Sequence, residues 1–276
     1  MSENTAAADE AADVVVERDG PIAIVWLNRP ASRNAYTPSM GQLLKDFLVE
    51  LDRDDQVRAI VVAGKGDHFG VGADLTIDWR EPSAHAVELL TDPESAPWNL
   101  ATPIIVAING DAIGVSLTWA IQCDVRVVAD DARLAFSFNR IGIMPDRNSL
   151  WLLPRLIGAS AAMDLLLTGR TIDGAEAHRI GLASRMTTRA DVIPMACSIA
   201  NDIASYCAPA SVTATKNLFY RFLEETDRVR AYNTERRVLT WIRTLGETLR
   251  GIEAFRSKSV PQWGTKKSNR FPRDLW

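Results

Sequence analysis

TPIIVAINGDAIGVSLTWAIQCD, residues 102–124, is the stretch whose reading decides the fold. It starts with an apolar, β-branched run, Pro103-Ile-Ile-Val-Ala-Ile108, which has the character of a buried strand. The run breaks at Asn109-Gly110, and a helical pattern starts after Gly114. At such a junction the first N–H groups of the helix have no intrahelical acceptor and carry partial positive charge. They point at an anion, or at a carbonyl about to become one.

The same alternation extends outward from this segment. Residues 14–16 and 22–27 read as two strands around a turn at Asp19-Gly20. Thr37-Pro38 places a capping residue before a first-turn proline, and Met40, Leu43, Leu44, Phe47, Leu48 and Leu51 follow at helical spacing. Residues 58–63 and 125–129 read as further buried strands, and residues 84–90 as a helix. Strands alternating with helices argue for an α/β fold in which helices bury the sheet. From Ser149 onward the signal is mostly helical, and Val238, Trp241, Ile242, Leu245 and Leu249 form one stripe of a long late helix.

Composition removes several classes of function. The chain has 276 residues, enough for one large domain or one with a small appendage, and no fixed-length repeat. A net charge of −4 leaves no basic face for nucleic acid, and Lys266, Lys267, Arg270 and Arg273 read as a solvated tail. Three cysteines without C-x-x-C spacing exclude a disulfide framework and a cysteine zinc site, and fit a reducing cytoplasm. His68, His85 and His178 are scattered, so no metal site is expected. No apolar run reaches membrane length. Residues 1–13 are Ala/Glu-rich without a signal-peptide core and are expected to be a disordered tail.

Two glycine loops carry the chemistry. GKGDHFGVGAD, residues 64–74, lacks the lysine pair of a phosphate-binding loop and has Phe69 where a dinucleotide fingerprint needs glycine. Gly114-Val-Ser-Leu-Thr118 departs from a nucleophile elbow at Thr118. Taken together, the loops place Ala73 and Val115 at equivalent junctions. If these meet, two backbone N–H groups converge on one oxygen, an oxyanion hole worth roughly 3–4 kcal/mol per donor.

Residues 27–37 (LNRPASRNAYT), 68–75 (HFGVGADL), 102–124, 141–158 (through IGIMPDRNS and LPRLIG), 165–183 and 251–258 resemble, in order and spacing, the crotonase superfamily, the enoyl-CoA hydratase/isomerase family. The resemblance implies a spiral of ββα units over residues 14–205. It also implies a helical C-terminal region, 206–276, that mediates trimers, often paired into hexamers. The ligand it implies is an acyl-coenzyme A thioester, with coenzyme A part of the substrate and no separate cofactor. Ala73 and Val115 then donate the oxyanion-hole amides. Arg29, Arg33, Ala35 and the backbone of Ala73, Asp74 and Leu75 lie along the coenzyme A path, and Phe255 and Lys258 reach it from a late helix. The anion of the opening stretch is then an enolate.

The resemblance also implies where hydratases of this family carry two glutamates; Thr118 and Phe138 stand there instead. Neither can activate water. An isomerase-like branch uses one carboxylate, and Asp146, in Pro-Asp after Ile-Gly, matches it as a proton shuttle. The other reading of Asp146 is a helix N-terminal residue held by the dipole. Asp124, Asp111 and Asp74 read as structural acids, while Asn139, Arg140 and a cavity among Trp79, Trp98 and Trp151 stay open as parts of a pocket. Three functions remain: double-bond shift, another crotonase-type reaction such as hydration, hydrolysis or carbon–carbon cleavage, and silent acyl-CoA binding.

Overall fold

The computed structural model describes residues 12–79 and 95–269. Most of the expected tail, the helix expected at 84–90, and Arg270 and Arg273 lie outside the described residues. Ala12 and Asp13, grouped with the tail from sequence, are held in place: Asn28 donates its Nδ2 to the Ala12 carbonyl and its backbone N–H to that of Asp13.

The chain enters through a hairpin, β1 (Val14–Asp19) and β2 (Ile22–Leu27), and then α1 (Pro38–Arg53). Thr37 caps α1 by accepting the Met40 N–H, and Met40, Leu44, Leu48 and Leu51 are buried. Next come β3 (Ala59–Gly64), β4 (His68–Gly70), β5 (Ile104–Ile108), β6 (Asp111–Ile113), α2 (Val115–Ala120), β7 (Val125–Ala129) and β8 (Leu134–Ala135). The chain continues through α3 (Ser149–Ile157), α4 (Ala159–Thr168), β9 (Thr171–Ile172), α5 (Gly174–Arg179), β10 (Arg185–Thr187) and α6 (Val192–Tyr206).

Each spiral turn feeds one strand into each of two sheets. The larger has the order β1-β2-β3-β5-β7-β10, parallel from β2 onward, and the smaller has the order β4-β6-β8-β9. Every residue of β3 and β5 is buried, as expected of parallel strands covered on both faces. One cover is α6, whose Ala196, Ala200 and Ala204 recur at four-residue spacing and let its axis lie close to β3 and β5.

The C-terminal part is α7 (Pro209–Phe222), α8 (Arg228–Thr244) and α9 (Glu247–Ser257), with its own small core of Ala214, Leu218, Val238, Trp241 and Ile242. The single late helix read from sequence is here two. Gly246 takes φ 75°, a left-handed turn that an L side chain resists, so Leu249 begins a new axis.

Lys216 fastens this part to the larger sheet. Its buried ammonium lies 2.7 Å from Asp124 Oδ2, which also accepts the Ile104 N–H, and donates to the Thr102 carbonyl. Asp124 is therefore a brace, as its sequence context suggested. Lys216→Met leaves that carboxylate desolvated and unpaired, and we expect a loss of about 3 kcal/mol in urea denaturation. A loss under about 0.5 kcal/mol, the size of an exposed pair, would contradict this.

Candidate active site

β4 and β6 pair in parallel, His68 with Asp111 and Gly70 with Ala112, so the junctions that follow them lie side by side. A Cβ placed on Gly114 would sit 3.9 Å from the Gly72 Cα, and one on Gly72 would meet the Ile113 carbonyl oxygen at 3.2 Å. Gly72 and Gly114 have φ of 93° and 54°, so glycine serves both close approach and backbone turn.

Ala73 bridges Tyr36 in parallel: the Tyr36 N–H donates to the Gly72 carbonyl, and the Asp74 N–H to that of Tyr36. In that geometry the Ala73 N–H is turned away from the bridge. Val115 opens α2, ahead of the first intrahelical bond. Among the described residues neither N–H has an acceptor. The glycines that precede the two expected donors are neighbours.

Two buried asparagines, whose roles were not evident in the sequence, hold these loops. Asn34 accepts the Arg29 N–H and donates to the Lys65 and His68 carbonyls. Asn109 bonds both backbone groups of Gly64 and donates to the Gly66 carbonyl. Each side chain supplies to a loop the bonds a ladder would supply to a strand.

Asp146 lies in the loop before α3. Its backbone carbonyl accepts the Ser149 N–H and hydroxyl, but its carboxylate makes no cap, and Asn148 is the N-cap residue. The Thr118 hydroxyl, fully buried on α2, instead donates to Asp146 Oδ1 at 2.6 Å. No other side chain among the described residues hydrogen-bonds Oδ2. Burial pushes the Asp146 carboxyl above its usual range, against the Thr118 hydrogen bond and the Arg147 charge, which pull it down. The Phe138 ring also faces the hole, its Cζ 4.0 Å from where a Gly114 Cβ would stand. Thus Asp146 is tied to α2 through Thr118, and Phe138 lies beside the residue that precedes Val115.

The other expected residues divide. Arg29 is occupied, paired with Asp74 at 3.0 Å and Asp13 at 3.5 Å and donating to the Ala35 carbonyl, so it clamps the loop. Asp74 also accepts the Thr76 hydroxyl and N–H, which hold its carboxyl below the usual range, a poor setting for a base. Arg33 and Leu75 are exposed and Ala35 is buried. Phe255 and Lys258 are exposed too, beside Tyr206 and Trp263 in a surface pocket with no wall from the hole. Asn139 and Arg140 are turned to the carbonyls of Leu166 and Thr168, and Asp111 accepts the Arg133 N–H. Trp79 stacks on Tyr36 with centroids 6.4 Å apart, whereas the Trp151 ring is covered by Arg155.

Comparison with known proteins agrees with this geometry. The family model described as enoyl-CoA hydratase/isomerase matches residues 17–266. A probable enoyl-CoA hydratase of Mycobacterium bovis is 32% identical over 254 residues, 91% of this chain and 97% of that one. The enoyl-CoA hydratase ACTT3 of Alternaria alternata is 33% identical over 89% of this chain and 85% of its own. Among solved structures, a probable enoyl-CoA hydratase/isomerase from Mycobacterium abscessus superposes with a TM-score of 0.86 at 30% identity, covering 91% and 98% of the two chains. With spiral, paired glycine junctions and sequence in accord, the chain belongs to the enoyl-CoA hydratase/isomerase family of the crotonase superfamily.

Proposed function

We propose that this chain shifts a carbon–carbon double bond along an acyl-CoA thioester by way of an enolate, with Asp146 as the proton shuttle. The observation that carries the reading is the Thr118–Asp146 hydrogen bond of 2.6 Å beside the free Val115 N–H. The thioester oxygen sits between the Ala73 and Val115 amides. Asp146 Oδ2 takes a proton from one carbon of the acyl chain, the electron pair moves into the thioester, and the two N–H groups hold the charge on oxygen. The same oxygen then returns the proton two carbons away. Burial raises the basicity this task needs, and Thr118 fixes the carboxylate through Oδ1 while Oδ2 is bound by no other side chain among the described residues.

The relatives' printed names favour hydration as the second reading. Against it, Thr118 and Phe138 fill the two positions where the family's hydratases carry glutamates, and Phe138 is nearly buried at 5% exposure. Incubation with 3-enoyl-CoA and 2-enoyl-CoA, read by mass spectrometry and chromatography, separates the two. The proposal expects isomerised product of unchanged mass. Gain of water, release of free coenzyme A, or binding without conversion contradicts it.

The pH profile tests the carboxylate itself. A base must be ionised, so turnover falls as pH drops through the Asp146 pKa, and the raised pKa places that limb above the range of an ordinary carboxylate. Thr118→Val removes the hydrogen bond that stabilises the ionised form, so the limb moves to still higher pH. A limb that stays in place would show that Thr118 does not bear on the reacting group.

Arg33 and Leu75, both exposed, are placed by this reading at the mouth of the coenzyme A path, and Phe255 and Lys258 at its far end. The protein is further proposed to assemble as a homotrimer or a pair of trimers, which would cover the exposed Met163, Leu167, Leu249 and Phe255. Light scattering on the purified protein tests this, and a monomer mass contradicts it.

A further inference from the structure

Arg147 is the least expected group near the hole. Its residue exposure is 6%, and Nε, Nη1 and Nη2 are all buried without a hydrogen-bond partner among the described residues. No carboxylate there lies within ion-pair distance of the guanidinium. It lies over the face of Tyr36, 5.2 Å from ring centroid to guanidinium carbon, and its charge also bears on the neighbouring Asp146 carboxyl. The Tyr36 hydroxyl is also buried and unpartnered. Both side chains line a small cavity together with Val115 and Ser116, the first residues of α2.

An unpaired cation in a protein interior is costly, and so are buried donors without acceptors. The backbone adds strain, because Arg147 and Asn148 have successive φ of 48° and 58°, the left-handed region that side chains resist. A packing role asks for none of this, since methionine or leucine would fill the space without charge. No carboxylate lines the cavity itself. A planar guanidinium and a phenol hydroxyl around one small space fit a carboxylate, held by paired charge-assisted hydrogen bonds.

We propose that the acyl group of the substrate ends in a carboxylate, which Arg147 and Tyr36 bind. This rests on the acyl-CoA reading above and names the substrate class within it. Val115 both carries a hole N–H and walls this cavity, so the cavity adjoins the place of the thioester oxygen. The acyl half is therefore a short dicarboxylic acid joined to coenzyme A at one end.

The test is a binding measurement and does not depend on turnover. Calorimetry with glutaryl-CoA and its neutral counterpart pentanoyl-CoA compares two saturated esters that cannot isomerise. The proposal expects glutaryl-CoA to bind about tenfold to a hundredfold more tightly, the range of a hydrogen-bonded buried charge. Tyr36→Phe keeps the ring and is expected to remove several-fold of that preference while leaving pentanoyl-CoA binding unchanged. Arg147→Met is expected to abolish the preference. If it does not fold, the wild-type comparison and Tyr36→Phe still decide the matter. Equal affinity of the wild-type protein for both esters overturns the proposal, as does tighter binding of pentanoyl-CoA. Failure of both esters to bind, with free coenzyme A also unbound, would instead overturn the acyl-CoA reading beneath it.

Discussion

Asp146→Asn is expected to lower turnover of a 3-enoyl-CoA by about a thousandfold, within the range general acid–base groups contribute, and to leave affinity for a saturated acyl-CoA within about twofold. The amide has the size and shape of the carboxylate and still accepts the Thr118 hydroxyl through its oxygen, so the loop before α3 keeps its main tertiary bond. What disappears is the lone pair able to take a proton. A merely structural Asp146 would give the opposite pattern, with affinity and melting temperature falling together and turnover of the folded fraction unchanged. Stopped-flow turnover beside calorimetric affinity separates the two. Retention of more than a tenth of the wild-type rate would remove Asp146 from the mechanism.

Val115→Pro is expected to cost about a hundredfold to a thousandfold in turnover, equivalent to roughly 3–4 kcal/mol of lost enolate stabilisation. Proline removes the N–H and puts its ring Cδ in that place, while the helix is retained because its first position tolerates proline and the Val115 N–H supports no internal bond. Val115→Ala is the control. It keeps the N–H and removes two methyl groups, so it should turn over substrate at close to the wild-type rate or faster if the valine narrows the pocket. A proline variant as active as the alanine one would mean the amide does not meet developing charge. Circular dichroism and a thermal melt of both proteins show whether α2 is retained.

The parts of this architecture that were legible in sequence are those with local causes. Buried parallel strands read as continuous β-branched runs, so β5 and β7 were placed from end to end and β3 within one residue. α1 announced itself through Thr37-Pro38 and a clean apolar stripe. The smaller sheet was invisible, since strands of two or three residues set among glycines have no period to detect. Gly246 was visible as a residue but not as a left-handed stop, because glycine inside a helical pattern does not declare its φ.

The site was legible by half for the same reason. Val115 opens a helix as expected, whereas Ala73 is followed by turns and no helix among the described residues; the neighbouring placement of their glycines comes from the β4–β6 pairing. Thr118 showed only that a glutamate is missing. Its hydroxyl contact to a residue 28 positions away is tertiary and has no local signature. Nothing in the neighbours of Arg147 told that its guanidinium would be shut away from water.

The most direct test of the account is the infrared spectrum of an unreactive acyl-CoA bearing a ¹³C-labelled thioester carbonyl, recorded free and bound. Two backbone N–H groups polarising the oxygen predict a carbonyl band shifted to lower wavenumber on binding, with much of that shift lost in Val115→Pro and retained in Val115→Ala. A bound carbonyl with the same frequency as in water, in a complex shown by calorimetry to be saturated, would contradict the oxyanion hole and the enolate chemistry built on it.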